Sequence, residues 1–492
     1  MIIDPGWLKT PERRFAAFAG ALLLARIVAI VIGHPQLGPD EGQYWFWSKA
    51  PAFGYYSKPP LIAWSIAATT ALFGEAEWAV RLSAPLYQLG AAIFLFLLAR
   101  RLKDAHAAFW AGAAWLTLPG VFLSSTLMTT DAPLMFFCSA GLYYFFLATD
   151  AREKARRRRW AILLGAAIGL GFLAKYAMSY FVIGAALALA VSPARRRAFG
   201  LDGAALTLLV AAALIAPNIF WNAQHDFQTL SHTAANADWG RGGGRPGELL
   251  KYLGDQLAIA GPLLFPLIAF AAFMQLKSPS ERREDAMRAL ILFAAPAIAI
   301  VAFQALISRA HGNWAAAAYP PAILMTSLWA IEKRRAAAFL KANIALHLLI
   351  GAGFLLAFSD LRAARGFGAE AAFKRLKGWE EIGARIEEAS IGYDAIMTDD
   401  REVTGELVYY ARDGAPIVAW DSNNRIDSHF EAFNAFDATR DRRVLYVTER
   451  ADALYIKNRF GTIEPIGAVA APVSAKRMRT LYLFEVRDFA GA

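Results

Sequence analysis

An all-α polytopic membrane domain followed by a small soluble α/β domain is the fold class this sequence predicts. Three observations carry it. Of the 492 residues, 57% are hydrophobic and only 19% charged, with a mean hydropathy of +0.35. Apolar runs near the length that crosses a bilayer recur up to about residue 358. Beyond Asp360 the pattern changes to short apolar runs and amphipathic stretches.

The apolar segments fall at 15–33, 78–99, 105–122, 132–149, 160–174, 176–191, 203–220, 251–274, 289–307, 315–331 and 337–358. At ~20 apolar residues per crossing they amount to about eleven transmembrane helices. The 160–174 run is short, so it is tilted, extended or only partly embedded. A further run, 61–73, follows Pro59-Pro60 and is too short to span; it reads as a helix at the interface. The first run has Arg13 and Arg14 before it and no small-residue cleavage pattern, so it reads as a retained span.

Lys and Arg collect in alternate loops: 100–103, 152–159, 195–197, 277–283 and 333–335. With the N-terminus, these loops define the cytoplasmic side of the membrane. The other side receives 34–77, 123–131, the point near Lys175, 221–250, 308–314 and everything after 358. An odd number of spans therefore puts the C-terminal domain on the side opposite the cytoplasm. The predicted domains are 1–359, the multi-span part, and 360–492, an α/β domain of about 130 residues, enough for its own core. Within the latter, 372–388, 402–412 and 451–460 read as helices, and 395–398, 416–420, 444–448 and 480–486 as strands.

The formal net charge of +10 does not indicate nucleic acid, because the basic residues sit in short blocks between apolar runs. The single cysteine, Cys138, excludes a disulfide framework and a multi-cysteine metal site. The glycine-rich tract 240–247 lacks the Lys-Ser/Thr ending of a phosphate loop and reads as a hinge.

The chemistry-bearing residues begin in Gly38-Pro39-Asp40-Glu41-Gly42-Gln43-Tyr44-Trp45-Phe46-Trp47. Pro39-Asp40 alone would open a helix, with Asp40 as its cap. The second carboxylate of Glu41 and the rings of Tyr44, Trp45 and Trp47 suit a sugar instead. Carboxylates bind hydroxyls, flat rings stack on pyranose faces, and a carboxylate can take a proton from an attacking hydroxyl. Tyr55-Tyr56-Ser57-Lys58-Pro59-Pro60 holds a lysine in a stiff loop, either snorkelling at headgroup level or meeting a phosphate. Asp131, in Thr130-Asp131-Ala132-Pro133, is a helix cap or a second site carboxylate. Lys175, in Gly171-Phe172-Leu173-Ala174-Lys175, snorkels or pairs with an anion, and no acid close in sequence offers itself. His225 and His232 fall in the polar stretch 218–239, which lacks a third firm metal ligand and suits hydrogen bonding to sugar or phosphate. Asn313, in the cluster Arg309, His311, Asn313 and Trp314, joins the same side.

These motifs together resemble the polytopic glycosyltransferases of the GT-C fold. The similarity is greatest to the branch of bacterial lipid A aminoarabinose transferases and protein O-mannosyltransferases, and it covers roughly residues 10–360. The resemblance implies a polyprenyl-phosphate-linked sugar as donor, a lipid, glycan or protein acceptor, and transfer on the periplasmic face with inversion at the anomeric carbon. By motif, Asp40 would be the leading catalytic carboxylate with Glu41 beside it, and Asp131 the second acid of the site. Lys58 would lie over the donor and Lys175 would hold its phosphate, with Tyr44, Tyr56, His225, His232 and Asn313 as substrate contacts. A second basic residue expected soon after His232 is represented only by Arg241 and Arg245. No cofactor is firmly implied, and a divalent cation stays open. The alternative is a transporter or flippase of lipid-linked sugars, for which repeated halves and midplane charges are the signature; Arg26, inside the first span, is the main midplane-like charge and no repeat is evident.

Overall fold

The computed structural model describes residues 9–33, 35–238, 244–277, 283–366, 370–474 and 477–491. The chain forms two compact units. One comprises Met1–Val31, Lys58–Ile62 and Arg81–Leu355; the other comprises Ile32–Ser57, Ala63–Val80 and Leu356–Ala492. The second unit therefore takes in the segments around the first loop, which a single cut after residue 359 would have left with the apolar helices.

The first unit is a helix bundle. Among the described residues, six helices are long and apolar enough to cross a membrane: Pro11–Ile32, Glu77–Leu102, Asp131–Asp150, Pro193–Gln224, Asp285–Ile307 and Arg334–Ser359. A seventh span results if Pro246–Ala260 and Leu264–Lys277, bent by 100°, count as one. The expected number of about eleven is not reached by length and composition. Each shortfall has a local cause. The 105–122 run breaks at Leu118, where extended backbone and Pro119 end the Ala105–Thr117 helix. The 315–331 run is a short 3-10 helix followed by Tyr319–Ala330, only 12 residues. Met178–Val191 has 14 residues, and Lys154–Ala174 carries Lys154 and Arg156 to Arg159 on its first turns. The 100° bend sits at Gly261, whose φ of +93° is open to glycine and strained for other residues.

Small residues let these helices approach closely. A Cβ on Gly165 would lie 2.5 Å from the Thr207 carbonyl oxygen, so the Lys154–Ala174 and Pro193–Gln224 helices touch nearly backbone to backbone there. Arg26, fully buried in the first helix, donates to the Leu116 carbonyl and lies 4.9 Å from the Phe122 ring centre. It ties helices together rather than marking a transport path.

The second unit contains a five-stranded mixed sheet of order β2-β1-β3-β5-β4, with β1 Ala395–Thr398, β2 Ile417–Ala419, β3 Arg443–Thr448, β4 Phe460–Ser474 and β5 Arg477–Phe489. β1 runs parallel to β2 and β3, while β5 is antiparallel to both β3 and β4. The helices Trp379–Ala389 and Arg401–Tyr410 cover one face through Ile382, Ile386, Val403 and Leu407. Trp420, Phe460 and Phe484 help fill the other.

Two expectations for this region are corrected. The helix at 372–388 is split, because Gly378 at φ +83° separates a 3-10 turn, Glu370–Leu376, from Trp379–Ala389. The helix at 451–460 is absent, and that stretch is a series of turns leading into β4. β4 is an edge strand with no buried side chain from 461 to 468, and its register shifts at Pro465/Gly467 and Pro472/Ser474. Its first half therefore lacks the alternation that marks a half-buried strand, which Val469, Ala471 and Val473 supply in its second half.

Candidate active site

In the first unit, three residues far apart in sequence converge on one carboxylate. Asp131 begins the Asp131–Asp150 helix, where the positive end of the helix dipole favours an anion. Lys175 ends the Lys154–Ala174 helix in extended backbone, its own N–H still bonded to the Gly171 carbonyl. That exit sends its ammonium to Asp131 Oδ1, 2.6 Å away. Asn313 Nδ2 donates to Asp131 Oδ2 at 2.7 Å. The Asp131 side chain is only 9% exposed and that of Lys175 19%, so the pair sits largely out of water.

Asn313 is held firmly. A Cβ on the preceding Gly312 would lie 2.6 Å from Asp255 Cβ, so only glycine permits this approach. Gln256 Nε2 donates to the Gly312 carbonyl at 3.2 Å, and the Tyr319 hydroxyl donates to Gln256 Oε1 at 2.6 Å. Both oxygens of Asp131 thus accept from protein donors, whereas the Lys175 ammonium has Asp131 as its one acceptor among the described residues.

The neighbouring polar stretch largely serves itself. Tyr176 donates to Asn218 Oδ1 at 2.9 Å, and Asn222 Nδ2 donates to the Asn218 carbonyl at 2.9 Å. His225 closes the Pro193–Gln224 helix, with Nδ1 2.8 Å from the Trp221 carbonyl oxygen and its ring stacked on Trp221. His232 is half-buried on Gln228–Ala237, and Lys58 is half-buried just before Pro59-Pro60. Arg241 lies outside the described residues; the Arg245 backbone N–H donates to the Leu306 carbonyl at 2.6 Å. Among the described residues no group of three or more His, Cys, Asp or Glu side chains could hold a metal ion.

The second unit carries the other acids. Pro39 opens the helix Pro39–Ser48, and it is Glu41, not Asp40, that caps it: Glu41 Oε2 accepts the Gly38 N–H at 3.0 Å, with Glu41 only 4% exposed. The Asp40 side chain is 64% exposed. Its Oδ1 accepts from Arg401 Nη1 at 2.9 Å, and the same nitrogen donates to Gln43 Oε1 at 3.2 Å. Burial alone would lower the Arg401 pKa, but the Asp40 carboxylate outweighs it and raises the pKa above its usual value.

The rings after Asp40 are core rather than an open stacking surface. Tyr44, Trp45 and Trp47 are each buried, Trp47 stacks on Tyr55 at 4.6 Å, and Trp45 meets Tyr409 edge-on at 4.9 Å. The Tyr56 hydroxyl donates to the Ile426 carbonyl at 2.7 Å. The helices Pro39–Ser48 and Arg401–Tyr410 pack backbone to backbone, since a Cβ on Gly42 would sit 2.0 Å from the Gly405 carbonyl oxygen. Tyr409 donates to the Glu75 carbonyl and Tyr410 accepts the Leu37 N–H, both at 2.6 Å. Arg401 did not stand out in the sequence. Its only signal is Asp400, which caps the next helix by accepting the Glu402 and Val403 amides and so fixes where Arg401 emerges.

A bundle of apolar helices with a lysine–carboxylate cluster at the helix ends, and an acidic helix after the first span, defines a polytopic membrane enzyme. Comparison with known proteins agrees. The family model described as dolichyl-phosphate-mannose-protein mannosyltransferase matches residues 57–221. The chain is 32% identical over 432 residues to the lipid A galacturonosyltransferase RgtD of Rhizobium johnstonii, covering 87% of this chain and 89% of that one. It is 28% identical over 343 residues to the lipopolysaccharide core galacturonosyltransferase RgtA of the same organism, covering 67% and 65%. The crystal structure of ArnT from Cupriavidus metallidurans bound to undecaprenyl phosphate shares the fold, with a TM-score of 0.66, 17% identity and 98% of each chain covered. The chain belongs to the GT-C glycosyltransferases that use polyprenyl-phosphate sugars. It is a membrane transferase, and the flippase reading falls away.

Proposed function

We propose that this protein transfers a uronosyl residue from a polyprenyl-phosphate donor to a lipid A or lipopolysaccharide-core acceptor at the periplasmic face of the bacterial inner membrane. The uronic acid and the acceptor class follow the names of the two galacturonosyltransferases it resembles. The N-terminus lies in the cytoplasm and residues 360–492 in the periplasm.

One observation carries the chemistry: Lys175 is locked in place by Asp131 yet keeps N–H donors without a protein acceptor among the described residues. In the reaction the acceptor oxygen attacks the anomeric carbon, the carbon–oxygen bond to phosphate breaks, and polyprenyl phosphate leaves with the bonding electrons. Negative charge grows on that phosphate, and a fixed cation stabilises the transition state more than the ground state. Lys175 supplies the cation. Asp131 and Asn313 position it, so Asp131 acts through the lysine rather than on the sugar. Asp40 takes the proton when the acceptor is a hydroxyl. For a phosphate acceptor no proton moves, and Asp40 instead stabilises positive charge at the anomeric carbon. Lys58 and Tyr56 belong to the loop that meets the donor.

Mass spectrometry of envelope lipids and glycans from cells with and without the protein tests this. The expected result is loss of one hexuronic acid residue from the lipid A or core fraction. An unchanged fraction, or loss of a neutral sugar, rules the uronosyl assignment out.

A further inference from the structure

We propose that Arg401, on the helix that covers the C-terminal sheet, is a positioning residue for Asp40. The inference rests on the reading that Asp40 acts in transfer. Asp40 lies on the first turn of its helix with its side chain 64% exposed, a place where a carboxylate would ordinarily sample several rotamers. Arg401 removes that freedom. Its Nη1 binds Asp40 Oδ1 at 2.9 Å and Gln43 Oε1 at 3.2 Å, so the guanidinium is itself held by a second group on the same helix. Asp40 Oδ2 has no protein donor among the described residues and is left for the reacting group.

The support for Arg401 is stiff. Asp400 caps its helix, and that helix meets the Asp40 helix through Gly42 and Gly405, with no side chain between them. A Cβ on Gly405 would lie 2.6 Å from the Pro39 carbonyl oxygen, so the approach is fixed next to Asp40 itself. Other charges on these helices include Glu41, engaged with the Gly38 amide, Glu402, 3.8 Å from Arg375, and the buried Glu406 beside Gly405. Exposed ion pairs contribute little to stability. A large effect of Arg401 on turnover would therefore not come from unfolding. The C-terminal region thereby takes a direct part in arranging a reacting group.

The test uses the full chain in lipid, with the donor concentration varied. Arg401→Ala should lower kcat about 10- to 100-fold, the scale of misplacing a catalytic group, and shift the donor KM by less than about twofold. Arg401→Lys, which can still offer two N–H groups from one nitrogen, should recover most of the loss. Thermal unfolding of both variants should match the wild type. Wild-type kcat in Arg401→Ala, a loss confined to KM, or equal losses in the Ala and Lys variants each overturns the proposal. Asp40→Asn run alongside separates the two readings. Full activity there removes Asp40, whereas an inactive Asp40→Asn beside a fully active Arg401→Ala removes only the role of Arg401.

Discussion

Asp131 and Asp40 are the same residue type at the start of a helix, yet their surroundings differ in kind. Asp131 is buried, and both its oxygens are consumed by Lys175 and Asn313. Asp40 is mostly exposed and only one of its oxygens is held, by Arg401. A saturated, buried carboxylate is suited to fixing a cation. A half-satisfied, exposed one is suited to meeting a substrate. The difference teaches that the acids of this protein are distinguished by what already occupies their lone pairs, not by their motif.

Substitutions can break or sharpen that contrast. Asp40→Asn should give the largest effect, a fall in transfer to a hydroxyl acceptor of about 10²–10⁴-fold without loss of folded protein. Initial-rate measurements on the purified variant check it. Lys175→Ala should lower kcat by about 10²–10³-fold, and leaving Asp131 buried without its partner should cost on the order of 3–5 kcal/mol of stability. Joint measurement of rate and thermal unfolding tests both parts. Asn313→Ala removes one bond to a charged oxygen and should reduce the rate roughly ten- to a hundredfold, about 1.5–3 kcal/mol, with Lys175 still paired. Were Asn313→Ala as damaging as Asp40→Asn, the supporting role given to Asn313 would be wrong.

The smallest effect concerns pH. His429 is buried among Phe46, Trp47, Tyr55 and Phe433, and burial pushes its pKa down to about 3 from 6.5. The folded state thus holds the proton less tightly than the unfolded state. Its contribution is complete above the unfolded value and is lost as pH falls from there toward the folded one. Between pH 6.5 and 5 the loss should be about 1.6 kcal/mol. Denaturant titrations at the two pH values measure it, and His429→Leu should flatten the difference.

Much of the architecture could be read from the chain because hydrophobicity is a local property. The apolar runs at 15–33, 132–149, 289–307 and 337–358 each overlap a long helix, and the strand expected at 395–398 is β1. Burial and pairing are not local. Tyr44, Trp45 and Trp47 look alike in sequence whether they line a sugar site or a core; here they are core. Lys175 has no acid near it in the chain because its partner is 44 positions away, and Asn313 reaches Asp131 across 182. Arg401 stands 361 positions from Asp40, in a region with no motif to draw attention to it. β4 was illegible for the opposite reason: the exposed stretch around Pro465 and Gly467 carries little of the pattern that reveals buried strands, and the alternation of Val469, Ala471 and Val473 is short.

The most direct measurement is the stoichiometry of a single turnover by the purified protein in lipid, supplied with polyprenyl-phosphate galacturonic acid and lipid A. One uronosyl residue should appear on the acceptor for each polyprenyl phosphate released, and Asp40→Asn should produce neither. Release of polyprenyl phosphate without a modified acceptor, or acceptor modification undiminished in Asp40→Asn, would contradict the proposed reaction.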